Sequence, residues 1–288
     1  MKIKFLSSKN YDDPDANNGD CIIIDTGSEL IIYDCGCEEH AERVINYMKA
    51  HHYSKAKLIL SHNDADHFNG IPYLVEAGVI SEVYTLLLLK YKDALLEKIK
   101  DRRITRDSLA RRIEEIFDNI YSLSEKVKLR DIFAETEVCS HVKLVGPDKE
   151  YALNAVAKRI DNRQGDSIDK ETIVNAVSTQ AEVEVGRKKL LLCGDSSYEA
   201  IKDKLSEYSL IQLPHHGKKE QADQIFEQKG SFGITYYVSD NTGNSNGGSD
   251  DLPKRGYNIL NTINGDQDCN TDSIQRINTS THSYYRGI

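Results

Sequence analysis

The chain has 288 residues, a formal net charge of −9 and 39% hydrophobic residues. This length supports one large domain with a substantial core. The acidic balance argues against a protein whose whole surface binds nucleic acid or an anionic membrane, but it is compatible with a local basic patch. The first residues do not resemble a signal peptide, and no run approaches the ~18 apolar residues of a membrane span, so we expect a cytoplasmic protein without membrane contact.

The beginning of the chain alternates short strands and turns. Residues 2–6, 21–25 and 30–34 are short segments rich in apolar side chains and predict a β-meander. The next segment, 38–52, has apolar residues at helical spacing and predicts a helix that packs on this sheet.

A cluster of ligand-type residues follows the apolar run 58–60, in the sequence Ser-His-Asn-Asp-Ala-Asp-His at 61–67. The run predicts a buried strand and the residues from Asn69 predict a helix, so the cluster lies on a strand-to-helix loop, where functional side chains are often presented. Imidazoles and carboxylates without cysteine predict an open metal site rather than a closed structural zinc site. The candidate ligands are His62, Asp64, Asp66 and His67. The alternative is a solvated loop in which Asp66 or Asn69 caps the next helix.

Residues 90–131 differ from the rest of the chain because they are rich in charged residues, and their apolar residues recur at helical spacing. This pattern predicts a helical insertion within a single domain spanning 1–288. The stretch from Lys98 to Arg112 contains seven basic and two acidic residues. It is either a solvated helix surface or a patch that follows the phosphates of a nucleic acid. The candidate backbone contacts are Arg102, Arg103, Arg106, Arg111 and Arg112. The insertion is also a candidate docking surface for a protein partner.

Two later predicted strands also end in ligand-type residues. Residues 188–193 lead to Gly194-Asp195, and residues 210–213 lead to Pro-His-His-Gly at 214–217. Between the insertion and these strands, residues 172–178 predict a further strand that contains Asn175.

Taken in chain order, the 62–67 cluster, Gly194-Asp195 and His215-His216-Gly217 resemble the metallo-β-lactamase superfamily. The closest branch looks like the competence-protein-like hydrolases related to the soluble domain of the DNA-uptake channel, on the basis of Asp64 and the Leu-Pro-His-His-Gly segment. This resemblance implies an α/β fold: a four-layer αβ/βα sandwich, with one or two divalent metal ions at the sheet edge.

By position, the resemblance implies a first metal held by His62 and Asp64 and a second metal held by Asp66 and His67. Asp195 resembles the carboxylate that bridges both metals. His215 would complete the second site.

The oxygen-rich first site, with Asp64 and Asn175 where nitrogen donors are usual in the superfamily, is expected to hold its metal weakly. Zn²⁺ is the expected cofactor, with Mn²⁺ or Mg²⁺ as alternatives. His216 is either a further ligand, a group that contacts the substrate phosphate, or a hydrogen-bond partner of a ligand.

These features predict a metal-dependent hydrolase: a phosphodiesterase or nuclease that uses a metal-bound hydroxide on nucleic acid or a nucleotide. Asp66 would orient the water and His216 would protonate the leaving oxygen, with Asn175 as a candidate substrate contact. The alternative is hydrolysis of a small ester, thioester or lactam, with the insertion as a lid. A third hypothesis is a binding or assembly module with structural metals.

Overall fold

The computed structural model describes residues 1–9, 11, 19–161, 167–241, 248–253 and 255–270. In chain order the strands are β1 (Lys2–Phe5), β2 (Ile22–Asp25), β3 (Leu30–Tyr33), β4 (Ala56–Ile59), β5 (Ile80–Thr85), β6 (Lys128–Asp131), β7 (Glu137–Cys139), β8 (Val142–Gly146), β9 (Ser167–Ile168), β10 (Glu171–Thr172), β11 (Gln180–Val185), β12 (Lys188–Leu192), β13 (Leu210–Gln212), β14 (Thr235–Val238), β15 (Ile259–Asn261) and β16 (Gln267–Asn270). The α-helices are α1 (Glu38–Ala50), α2 (Ala65–Phe68), α3 (Ile71–Glu76), α4 (Lys92–Lys98), α5 (Arg106–Ser122), α6 (Lys149–Asp161), α7 (Ile173–Ala176), α8 (Tyr198–Ile201) and α9 (Lys219–Lys229).

Within these residues the strands form two mixed seven-stranded sheets and one short hairpin, β9 with β10. The first sheet has the order β16-β1-β2-β3-β4-β5-β6, antiparallel from β16 to β3 and parallel from β3 to β6. The second has the order β15-β14-β13-β12-β11-β8-β7, parallel from β15 to β12 and antiparallel from there to β7. Each sheet therefore has a parallel half whose strands end at one edge.

The two sheets face each other across a shared apolar core. Phe5 of the first sheet stacks on Tyr237 of the second, with ring centroids 4.6 Å apart. Helix α1 packs on the first sheet through Val44, and α9 packs on the second through Ile225. The α/β fold predicted from the sequence, with two sheets between helices, is confirmed. None of the helices in the described part of the chain is long and apolar enough to cross a bilayer.

Two local predictions were wrong. Residues 128–131, the end of the predicted helical insertion, form β6, because the parallel pairing of Leu129 with Val83 of β5 supplies hydrogen bonds that the local sequence does not reveal. Residues 173–176 form the helical turn α7 instead of a strand, since the Thr172 side chain accepts a hydrogen bond from the Asn175 N–H and caps the turn. Strand β16, at the end of the described residues, pairs with β1.

Candidate metal centre

The candidate ligands lie at the carboxyl ends of central strands in both sheets. His62 comes shortly after β4, Asp195 after β12, and His215 and His216 after β13. The two sheet edges approach closely here: a Cβ on Gly194, where φ is +52°, would lie 2.7 Å from the Ser61 Cβ. Only glycine fits both this contact and this backbone conformation, so Gly194 allows the two halves of the centre to meet.

A first group of donor atoms comes from His62, His67 and Asp195, whose ligand atoms lie within 4.8 Å of one another. The His67 Nε2 is 3.2 Å from the Asp195 Oδ1, and the His62 Nε2 is 3.8 Å from the Asp195 Oδ2. Asp64 extends the group, with its Oδ2 3.6 Å from the His62 Nε2. The Asp195 carboxylate thus lies between the imidazoles of His62 and His67.

A second group comes from Asp66, His67 and His216. Asp66 and His67 lie within the short helix α2, not on the loop before it. The His216 Nε2 is 3.0 Å from the Asp66 Oδ2. His67 belongs to both groups, so the two clusters form one continuous centre.

The structure gives His216, and not His215, the position beside Asp66. Both histidines have a left-handed backbone, with φ of 50° at His215 and 56° at His216, a conformation that is rare outside glycine and common at functional sites. This turn directs His216 to the second group. The His215 Nε2 faces Asp195 instead, 3.7 Å from its Oδ2, and the His215 Nδ1 lies 2.5 Å from Glu171 Oε2.

The donor set fits a divalent cation. In the described part of the chain, the His62 Nε2, the His67 Nε2 and the Asp195 Oδ1 are buried and have no hydrogen-bond partner. The His67 Nε2 and the Asp195 Oδ1 lie within ion-pair distance of each other, at 3.2 Å. A buried polar atom without a partner destabilises the folded state by about 1–3 kcal/mol, and a charged group by more. Nitrogen and carboxylate donors that converge without partners are what a bound Zn²⁺ or Mn²⁺ would satisfy.

Several side chains that the sequence did not identify hold the candidate ligands in place. The buried Asp34 carboxylate accepts from the His67 Nδ1 at 2.8 Å and from the Ser61 N–H and hydroxyl at 2.7 and 2.6 Å. Asp20 is buried nearby and accepts from Gln212 at 3.1 Å. Asp20 and Asp34 both lie next to strand ends in the sequence, and this position could have identified them as residues near the centre. Glu171, which holds His215, has no comparable signal.

Asn175, predicted as a substrate contact, is buried behind the centre. Its Nδ2 donates to the Asp195 Oδ2 at 3.2 Å, and its Oδ1 accepts from the Thr172 hydroxyl. This arrangement orients Asp195 and leaves the amide little freedom to bind a substrate.

The charges in the centre shift one another's pKa values. Burial opposes ionisation of Asp195, but the imidazoles of His67 and His215 outweigh it and hold the pKa of Asp195 well below its usual range. Burial likewise opposes protonation of His216, but the hydrogen bond to Asp66 and nearby carboxylates raise the pKa of His216 to about 9. The metal-free centre therefore holds protons where a cation would bind.

Metal binding is accordingly expected to tighten as the pH rises towards 9. At neutral pH a cation must displace the proton of His216, so the dissociation constant should fall about tenfold per pH unit for each proton displaced. Competition with a coloured chelator between about pH 6 and pH 9 measures this. Stability of the metal-free protein should show the opposite trend: the raised pKa of His216 stabilises the fold fully below about pH 6.5, and this contribution is lost as the pH passes about 9. Affinity independent of pH would contradict the prediction.

The predicted arginine contacts lie on the helical insertion, and local acids neutralise some of them. Arg103 pairs with Asp101, and Arg106 pairs with Asp93. Arg112 donates to the Ile160 carbonyl at 3.3 Å. The two remaining residues, Arg102 and Arg111, are exposed and have no ion pair with the described residues.

The α/β fold and the buried imidazole and carboxylate donors are consistent with a metal site. Residues 14–138 match the family model of the metallo-beta-lactamase superfamily. This match covers 125 of the 288 residues and includes the first ligand cluster at 62–67. No curated protein matches the chain.

Solved structures with a similar fold have low sequence identity to this chain. The metallo-beta-lactamase fold protein YhfI from Bacillus subtilis is 14% identical over 73% of this chain and 69% of that chain, with a TM-score of 0.40. Human tRNase Z, short form (ELAC1), is 14% identical over 79% of this chain and 83% of that chain, with a TM-score of 0.38. A diphosphatase from the PhnP family is 12% identical over 93% of this chain and 98% of that chain, with a TM-score of 0.48.

Proposed function

We propose that the protein is a metal-dependent phosphodiesterase that cleaves nucleic acid or a nucleotide, within the competence-protein-like branch. The observation that carries this proposal is that Asp66, His67 and His216 lie beside His62 and Asp195, because two adjacent cation sites suit the two oxygens of a phosphodiester displacement. His62 and Asp64 would hold one cation, and Asp66, His67 and His216 the other, with Asp195 shared. When bound, the cations would activate water and neutralise phosphate charge.

His215 is the better candidate for the proton donor than His216. The Nδ1 of His215 faces the fully buried Glu171, which also accepts from Lys218 Nζ at 3.1 Å and Gln221 Nε2 at 3.2 Å. These contacts fix the ring with Nε2 directed at the centre, where it can deliver a proton to a leaving oxygen. His216 is already paired with Asp66, whose half-buried carboxylate would orient the attacking water.

The surface of the helical insertion supports a polyanionic substrate. An open cavity of about 650 Å³ lies between the insertion and α6. Its charged lining consists of Lys98, Lys100, Arg103, Lys158, Asp101 and Asp161, so cations outnumber acids. Along α5, Arg111 lies roughly 12 Å from Asn119 at 1.5 Å per residue. Asn119 contacts the loop between β4 and α2, residues 60–64, which we call the metal loop. A polyanion that binds Arg111 would therefore lie about two turns of helix from the contact between α5 and the metal loop.

The direct test is to incubate purified protein with labelled single-stranded and duplex DNA and RNA, and with a generic thioester, in the presence of Mn²⁺, Mg²⁺ or Zn²⁺. Cleavage of a nucleic acid that is abolished in a His67→Ala variant supports the proposal. Cleavage that survives in this variant contradicts the site. If only the thioester is cleaved, a small-substrate hydrolase replaces the proposal, and metal binding without any cleavage indicates a binding module.

A double variant, Arg102→Glu with Arg111→Glu, is expected to raise KM for an oligonucleotide and leave kcat nearly unchanged, because both residues are exposed on the insertion. The slope of log KM against log salt should fall by about one for each phosphate group that the variant no longer neutralises. Arg187→Glu, on an exposed turn after β11, is the matched control. Equal salt dependence in the three proteins would show that the insertion does not bind the substrate backbone.

A further inference from the structure

Helix α5 of the insertion is interrupted where it meets the metal loop. Phe117 has φ of −125° and ψ of 28°, outside the helical range, although residues on both sides are helical. The interruption lies one residue after Ile116, whose carbonyl accepts a hydrogen bond from the Asn63 Nδ2 at 2.8 Å. A distortion in a helix usually has an identifiable partner, and here the partner is a side chain of the metal loop.

Asn63 and Asn119 connect the two elements reciprocally. The Asn63 Nδ2 also donates to the Asn119 Oδ1 at 3.0 Å, and the Asn119 Nδ2 donates back to the Asn63 carbonyl at 3.1 Å. The same Asn119 oxygen accepts from the Ile120 N–H at 3.0 Å. In a regular helix the Ile120 N–H would bond to the Ile116 carbonyl. Both groups have a partner in the asparagine pair, so the interruption and the contact form one unit.

The position of Asn63 gives this unit a consequence for the centre. Asn63 lies between His62 and Asp64, whose Nε2 and Oδ2 atoms are 3.6 Å apart. Both donors of its amide are directed at α5. A shift of α5 therefore displaces the backbone that carries both neighbouring ligands, and a site of this kind tolerates displacements of only about 0.5 Å.

We propose that Asn63 and Asn119 form a clamp through which the helical insertion positions His62 and Asp64 for metal binding. The two asparagines are positioning residues, since they act through the ligands. The inference rests on the proposed function only in taking His62 and Asp64 as metal ligands. By linkage the coupling is reciprocal: the docked helix strengthens metal binding, and metal binding stabilises the docked helix.

The test compares Asn119→Ala with the wild type by titration with Co²⁺, followed through its visible absorption. The variant is expected to bind one of two Co²⁺ ions about 10- to 100-fold more weakly, the effect usual for residues that orient ligands, with a changed spectrum for that ion only. Asn119→Asp keeps an acceptor for the Asn63 Nδ2 and removes the donor to the Asn63 carbonyl, so its affinity should be intermediate. Asn154→Ala, which removes an exposed hydrogen bond to Glu150 on α6, is the matched control and should equal the wild type.

Hydrogen exchange of α5 gives an independent readout that a merely stabilising role would not change. Metal should slow exchange around residues 116–122 in the wild type and in Asn154→Ala, and this protection should be absent in Asn119→Ala. Equal metal affinity, spectrum and metal-induced protection in all four proteins would overturn the clamp, even if the enzyme cleaves nucleic acid. Conversely, a wild type without nuclease activity in which Asn119→Ala still changes the Co²⁺ spectrum removes the proposed function and keeps the clamp.

Discussion

An Asp195→Asn variant is expected to retain less metal after dialysis than the wild type and to lose about a thousandfold in metal-dependent kcat/KM. Asp195 is the carboxylate that faces His62, His67 and His215, at 3.8, 3.2 and 3.7 Å between the nearest atoms. The neutral amide keeps the shape but removes the negative charge that both candidate cations share. Elemental analysis of the dialysed protein and initial rates with the best substrate measure the two effects.

Asp203→Asn is the control for this variant, because Asp203 is an exposed aspartate after α8. It should retain wild-type metal content and activity. If Asp195→Asn also retains both, Asp195 does not bridge two cations, and the proposed centre is wrong.

The Asp34→Asn variant is expected to lower both stability and metal affinity. Asp34 is fully buried and accepts three hydrogen bonds, from the Ser61 N–H, the Ser61 hydroxyl and the His67 Nδ1. In an asparagine, an NH2 group replaces one carboxylate oxygen and faces one or more of these N–H and O–H donors. This should lower the free energy of unfolding by about 3 kcal/mol. Because His67 is also deprived of the acceptor that orients its ring, metal affinity should fall about 10- to 100-fold. Chemical denaturation and chelator competition measure the two quantities.

Asp25→Asn separates these two effects. Asp25 also accepts three hydrogen bonds, from the Gly27 N–H and from the hydroxyls of Tyr47 and Tyr53. It lies at the end of β2 that is far from Asp20 and the metal centre. It should lose stability and keep its metal affinity. A loss of metal affinity in Asp25→Asn as large as that in Asp34→Asn would mean that global destabilisation, and not the orientation of His67, weakens the site.

The parts of the fold that could be predicted are those whose conformation follows from the local pattern of apolar and polar residues. The strands β2 and β3 are buried along their whole length, and apolar runs of this kind predict strands from sequence alone. Residues 128–131 were predicted to be helical, but they form β6 because they pair with β5. Residues 173–176 were predicted to be a strand, but they form the helical turn α7 because a side chain caps the turn. Strand β16 forms at the sheet edge because it pairs with β1, far away in sequence.

The sequence by itself identified His62, Asp64, Asp66, His67 and Asp195 as candidate ligands, because each follows or lies near the end of a strand. That they converge on common cations was implied by the family resemblance. Only the tertiary structure decided which of two adjacent histidines joins Asp66, because that choice depends on the left-handed backbone at His215 and His216. It also decided that Asp34 and Glu171 orient the imidazoles and that Asn119 contacts the metal loop. These hydrogen bonds join residues more than 30 positions apart, and no repeating pattern in the sequence indicates them. They form only when the sheets and helices have packed together.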